Sequence, residues 1–126
     1  MNEFIVKCYH EPTLATDFII ETAKSYGASK VSFDKKFRAN YGKIKIVENE
    51  PDLGQLVLLA SDGIPLKDFK HPEQATYMVG RNTGTEAFLP KHAIKVKVET
   101  PADYPLWNFI ALALVLDDRN KKLGDI

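Results

Sequence analysis

Gln55-Leu56-Val57-Leu58-Leu59-Ala60, followed directly by Ser61-Asp62-Gly63, is the stretch on which the fold turns. The first part is short and nearly all apolar; the second favours a turn. A strand with one wet face alternates apolar and polar side chains, whereas one covered on both faces need not. The stretch therefore predicts a fully buried strand ending at Ala60, with a turn over Ser61-Asp62-Gly63. Strands of that kind belong to parallel sheets covered by helices.

The sequence on either side extends this picture. Phe4 to Tyr9 reads as a buried strand. Pro12 and Thr13 open a helix to about Tyr26, whose Leu14, Phe18, Ile19, Thr22 and Ala23 follow the spacing of one buried face. Gly27 is placed to end that helix in the left-handed conformation. A strand at Lys30 to Phe33 completes a strand, helix, strand order, the mark of a parallel crossover. Lys43 to Val47 alternates like a partly exposed strand. Ile64 to Gln74 reads mostly as loop, with Leu66 and Phe69 tucked inward. Ala75 to Val79 is another buried strand, with a loop at Gly80 to Gly84. Ala93 to Val98 alternates as an edge strand does. The last helix is expected from about Asp103 to Asp118.

The resulting fold class is α/β, a mostly parallel open sheet with helices on both faces. The final helix is almost continuously apolar from Leu106 to Leu116, more than one domain of this size needs to bury. That excess points to a homodimer formed through the C-terminal helix. Open parallel sheets bind ligands beyond the carboxyl ends of their strands. The segments after Ala60, Val79 and Val98 are therefore where a site is expected.

Composition narrows the function. The 126 residues fit one domain, residues 1–126, and 44% hydrophobic content is enough for one core. Lys plus Arg and Asp plus Glu number 17 each, so no global field draws the chain to nucleic acid or membrane. Any RNA must be held by local basic clusters. Cys8 is the single cysteine, which rules out an intrachain disulfide and reads as a packed thiol. His10, His71 and His92 lack metal-ligand spacing, so no metal is expected. No phosphate-binding glycine loop or nucleophile elbow occurs. No basic, apolar and small-residue leader opens the chain, and no stretch is long enough to span a bilayer, so a cytoplasmic location is expected.

Three groups of residues carry a family resemblance. The strongest is Ala60-Ser61-Asp62-Gly63-Ile64-Pro65-Leu66, leading to His71-Pro72 and then Tyr77-Met78-Val79-Gly80. The second is Asp17-Phe18-Ile19-Ile20-Glu21-Thr22-Ala23 with Tyr26-Gly27-Ala28; the third is Arg38-Ala39-Asn40-Tyr41-Gly42. In order and spacing these resemble the SpoU-type (TrmH-like) 2′-O-ribose RNA methyltransferases of the SPOUT superfamily, over Phe4 to about Asp118. The resemblance implies a C-terminal deep trefoil knot, S-adenosylmethionine as cofactor, and an RNA substrate, with transfer RNA expected.

It also implies roles for residues. Ala60 and Ser61 would line the adenine side, and Val98 and Thr100 the adenosine. Val79 ends the strand leading into Gly80, where a missing Cβ lets backbone approach a cofactor closely. An ordinary turn glycine is the plainer reading. Arg81 and Asn82 continue that loop, Asn82 standing where the family usually has glutamate. Leu106-Trp107-Asn108 falls on the family's Ser-Leu-Asn motif, so Asn108 is retained. Asn108 is read either as part of the chemistry or as an amide bound to nearby backbone, and Trp107 either as cofactor contact or as packing. Where relatives carry asparagine and, six residues on, an arginine that activates the ribose hydroxyl, this sequence has Ala15 and Glu21. Glu21 can serve as general base only if it faces the cofactor; otherwise it is a solvated helix residue. Lys36, Arg38, Tyr41 and Lys43 mix cations with aromatic rings, which suits RNA, or else form a charged surface loop.

The sequence thus supports an S-adenosylmethionine-dependent ribose 2′-O-methyltransferase. A binding homologue without catalysis and an unrelated open-sheet interaction module are the competing readings.

Overall fold

The computed structural model describes residues 2–8, 14–33, 46–48, 51–79, 93–102 and 106–124. In chain order the elements are β1 (Glu3–Cys8), α1 (Leu14–Ser25), β2 (Lys30–Phe33), β3 (Ile46–Glu48), β4 (Gln55–Pro65), a 3-10 turn (Leu66–Asp68), β5 (Gln74–Val79), β6 (Ile94–Lys97) and α2 (Asn108–Leu123). The strands form one sheet in the order β3-β2-β1-β5-β4-β6, and every pairing is parallel.

The centre of the sheet is buried on both sides, as the unbroken apolar runs demand. Phe4, Val6, Cys8, Val57, Ala75, Tyr77, Val79 and Val96 share one face with Ile19, Ile20 and Ala23 of α1 and Leu112, Val115 and Leu116 of α2. The two helices touch each other there. Leu56, Leu58 and Met78 form a second cluster on the opposite face. The chain before β4 reaches over that second face. The Leu53 amide donates to Thr76 Oγ1 at 2.7 Å, the Thr76 hydroxyl donates back to the Leu53 carbonyl at 2.9 Å, and Lys7 pairs with Asp52 at 2.6 Å. Among the described residues no helix packs on that face.

Local chemistry fixes the carboxyl end of α1. Gly27 sits at φ 91° with its amide on the Lys24 carbonyl, while the Ala28 amide bonds the Ala23 carbonyl. This paired closure needs a left-handed residue, and glycine adopts it without Cβ strain. Ser29 follows at once with its amide on the Phe4 carbonyl, so the helix exit delivers the chain straight into β2 beside β1.

Two expectations need correction. Ser61-Asp62-Gly63 does not turn the chain; β4 continues to Pro65. Leu59 and Ile64 both register with Val96, so Ala60 to Gly63 are extra residues in a bulge, after which pairing with β6 resumes. Gly63 permits this, because a Cβ there would meet the Lys95 carbonyl carbon at 2.5 Å. The last helix begins at Asn108, later than about Asp103, and runs past Asp118 to Leu123. Trp107 is extended at its start (ψ 148°), and Gly124 closes its end at φ 73°. It outlasts its apolar stretch because Arg119 is buried at the start of β5, donating to the Glu73 carbonyl, and Asn120 is buried at the exit of α1, donating to the Tyr26 carbonyl. Of the expected Lys43 to Val47 strand, Ile46 and Val47 are strand, which continues to Glu48, and residues 43–45 lie outside the described residues.

Candidate functional site

The strand ends fix the site. Cys8 registers with Val79, Met78 with Leu58, and Leu59 with Val96. Hence the carboxyl ends of β1 and β5, the bulged part of β4 and the end of β6 lie side by side, and the segments after Val79, Leu59 and Lys97 start from neighbouring positions. Parallel sheets offer ligands backbone groups and a cleft at that edge. The bulge adds to this. Ala60 to Gly63 leave the ladder with β6, and the described pairing of β4 with β5 stops at Leu58. Their amides and carbonyls are thus free of described ladder pairing at this edge of the sheet. Asp62, on the bulge, pairs with Lys95 at 3.1 Å, bridging β4 to β6.

Around this edge, Val79 is fully buried, Ala60, Val98 and Thr100 are half-buried, and Ser61 is exposed. Such a mixture of apolar walls and available backbone polar groups suits a flat heteroaromatic ligand with polar edges. The Gly80, Arg81 and Asn82 expectations lie outside the described residues, as do Lys36, Arg38, Tyr41 and Lys43.

The helical residues separate into two groups. Asn108 is the half-buried first residue of α2. Trp107, 56% exposed, has its described ring contact with Phe109, edge-on at 5.7 Å. Phe109 in turn stacks on Phe18 of α1 at 5.0 Å. Trp107 therefore belongs to an aromatic patch on the helical layer rather than to a described contact with the strand ends. Ile110 and Leu114 continue the patch along α2, 40% and 44% exposed. Glu21 is exposed on α1, one turn beyond Phe18, with its carbonyl receiving the Ser25 hydroxyl at 2.7 Å.

A buried polar cluster at the opposite, amino-terminal edge of the sheet was not foreseen. Arg119 is fully buried. Its Nη1 donates to the Pro72 carbonyl at 2.6 Å and to the Tyr77 hydroxyl at 3.1 Å, and its Nη2 donates to the Glu73 carbonyl at 2.7 Å. The guanidinium also lies 5.0 Å from the Phe4 ring centre. The Tyr77 oxygen is 2.7 Å from Nδ1 of His71, whose Nε2 is 2.8 Å from an Asp118 carboxylate oxygen. Burial holds His71 below its ordinary value of 6.5 although Asp118 pulls the other way, and burial pushes Tyr77 up to about 12. Lys122 bonds Asp118 at 2.8 Å and the Leu66 and Phe69 carbonyls at 2.7 and 2.9 Å. The sequence signal was the polar residues placed where the helical stripe of Leu112, Val115 and Leu116 continues inward.

Cys8 is buried, and that burial raises its thiol far above the ordinary range, so it is packed rather than nucleophilic. Among the described residues no group of three or more His, Cys, Asp or Glu side chains is placed to hold a metal, and no helix is long and apolar enough to cross a membrane.

No sequence-family profile and no curated protein matches the chain. Solved structures do. The rRNA methyltransferase of Sinorhizobium meliloti superposes with a TM-score of 0.75 at 15% identity, over 96% of this chain and 56% of that one. The SpoU methyltransferase AviRb of Streptomyces viridochromogenes, in complex with the cofactor AdoMet, gives 0.79 at 13% identity, over 99% and 62%. A structure described as giving insights into the 2-OH methylation of C/U34 on tRNA gives 0.73 at 10% identity, over 99% of both chains. The chain thus spans about three-fifths of the length of the first two and nearly all of the third. By these superpositions this polypeptide has the fold of the SpoU-type methyltransferases.

Proposed function

We propose that this chain is an S-adenosylmethionine-dependent RNA ribose 2′-O-methyltransferase that acts on transfer RNA as a cytoplasmic homodimer. The observation that carries the reading is the bulge at Ala60 to Gly63, set between the ends of β5 and β6 in a fold shared with methyltransferases, one solved with AdoMet. The half-buried Ala60, Val98 and Thr100, the buried Val79 and the unladdered backbone of the bulge suit an adenosyl group. Gly80, Arg81 and Asn82 belong to the same reading as cofactor-binding residues. When bound, the cofactor supplies an electrophilic methyl group on sulfur. The protein's part is to hold that group, align a ribose hydroxyl with it, and take the hydroxyl proton.

Transfer RNA is favoured by the likeness, over nearly the full length of both chains, to the structure described for tRNA methylation. Lys36, Arg38, Tyr41 and Lys43 are the residues proposed to contact it. The homodimer is supported by the patch of Phe18, Trp107, Ile110 and Leu114, each at least 40% exposed in the single chain. The reading includes the trefoil knot, with α2 in the threaded segment, and a single domain over residues 1–126.

One observation favours a second reading, a cofactor- or RNA-binding homologue without catalysis. Ala15 has no titratable group, and Glu21 lies exposed on α1, near the aromatic patch. Asn108 is then the remaining polar side chain at the α2 start for the chemistry. Calorimetry with S-adenosylmethionine and its demethylated product, followed by labelled cofactor with total transfer RNA, tests both readings. Binding with methyl incorporation supports the enzyme; binding without incorporation supports the homologue; no binding refutes the enzyme and a cofactor-binding homologue alike.

A further inference from the structure

The proton positions around His71 follow from its neighbours. An arginine can only donate, so Arg119 Nη1 occupies an acceptor site on the Tyr77 oxygen at 3.1 Å. The one hydroxyl proton of Tyr77 is then left for His71 Nδ1, 2.7 Å away. Nδ1 must accept, so the ring proton sits on Nε2 and is donated to Asp118 at 2.8 Å. The wiring runs from Arg119 through Tyr77 and His71 to Asp118, and it closes only with a neutral imidazole.

A second ring proton breaks it. Nδ1–H and the Tyr77 O–H would point at each other, and among the described residues the hydroxyl has no third partner to turn to. The charged and titratable groups bearing on His71 are Asp118, Arg119 and Lys122 from α2 and Tyr77 from β5; Phe69 meets the ring edge-on at 4.9 Å. Asp118 favours the cation, but its carboxylate already carries Lys122 at 2.8 Å. The cost of the conflict falls on α2, because Asp118, Arg119, Asn120 and Lys122 are the contacts that fasten its carboxyl-terminal half.

We propose that His71 is a proton-sensitive latch for α2: neutral, it completes the cluster that docks the helix on the sheet, and a proton taken up from solvent on Nδ1 releases that half of the helix. The sign agrees with the burial that holds His71 below 6.5. The released form binds more protons as pH falls under that value, so docking weakens about tenfold per pH unit until the docked form titrates too. It is present in full above the ordinary histidine value and lost on acidification.

Histidine-labelled protein decides this by nitrogen NMR, with Trp107, the single tryptophan at the far end of α2, as a fluorescent reporter. At pH 7 His71 should show a protonated Nε2 and a bare Nδ1. On acidification, proton uptake with a midpoint below 6.5 should coincide with a Trp107 emission change and loss of amide-exchange protection at Arg119 and Asn120. The step should vanish in His71→Gln, whose amide still reaches Asp118 but binds no proton. A proton on Nδ1 at pH 7, a His71 titration that leaves α2 protection unchanged, or the same step in His71→Gln overturns the proposal. Should His71→Gln not fold, titration and exchange in the parent chain decide alone.

Discussion

Replacing Gly63 with alanine tests whether the bulge in β4 is held by space alone. The added Cβ would lie 2.5 Å from the Lys95 carbonyl carbon and 2.6 Å from its oxygen and from the Val96 nitrogen. That is about 1 Å inside ordinary van der Waals contact, and all three neighbours are backbone, so no side chain can swing aside. Only separation of β4 from β6 relieves it, at the pairs Ile64 with Val96 and Pro65 with Lys97. Overpacking of this kind costs about 1–3 kcal/mol, and a ladder hydrogen bond loosened with it adds about 1 kcal/mol. The expected loss is about 2–4 kcal/mol, a large part of the ~5–15 kcal/mol that holds such domains folded. Urea denaturation followed by circular dichroism reads it as a midpoint lowered by about 1–2 M. Gly27→Ala is the control, because φ is 91° there but nothing lies within 4 Å of the added Cβ. It should cost only the left-handed strain, about 1–2 kcal/mol. The reasoning fails if Gly63→Ala stays within about 0.5 kcal/mol of the parent, or costs less than Gly27→Ala.

Arg119→Met keeps much of the side-chain length but leaves the Pro72 carbonyl without its described donor and takes one donor each from the Glu73 carbonyl and the Tyr77 oxygen, and should destabilise by about 2–4 kcal/mol in the same assay; near-neutral stability would show that the buried cation contributes nothing net. Cys8 should resist thiol reagents at pH 8 in the native protein and react on unfolding, and fast native labelling would contradict its burial. Phe18→Asp combined with Ile110→Asp, both at exposed positions, should keep the far-ultraviolet spectrum nearly unchanged while sedimentation falls to the 14.2 kDa single-chain mass and the denaturation midpoint drops with the lost interface; an unaltered dimer would place the interface elsewhere.

The parallel sheet was legible because its central strands are buried on both faces. Val6, Val57, Met78 and Val79 sit in short runs with no polar alternation, and a strand covered on both faces is what such runs ordinarily build. Gly27 was legible because a helix exit needs one left-handed residue. The bulge was not, since Ser61-Asp62-Gly63 has the composition of a turn, and only the partner strand β6 reveals that pairing resumes at Ile64. The end of α2 was hidden for a related reason. Asp117 to Lys122 looks like a solvated exit, yet Arg119 and Asn120 are buried because carbonyls of distant segments accept from them. Periodicity records which side chains avoid water, not which buried cation finds oxygen to bond. At the site, the meeting of the strand ends could be read from order and length, whereas the exposure of Glu21 and Trp107 depended on how α1 and α2 pack together.

The pairing of β1 with β5 joins Glu3 to Gln74, so the middle of the sheet is built from residues far apart in sequence. During synthesis, β1 can meet only β2 until the ribosome has released the chain beyond Val79, a wait of several seconds at ~5–20 residues per second. Throughout that interval Phe4 and Val6 have only α1 to cover them, without Tyr77, Leu112, Val115 or Leu116. Maturation should accordingly be slow for a chain of this size, and sensitive to any helper that shields a nascent hydrophobic strand.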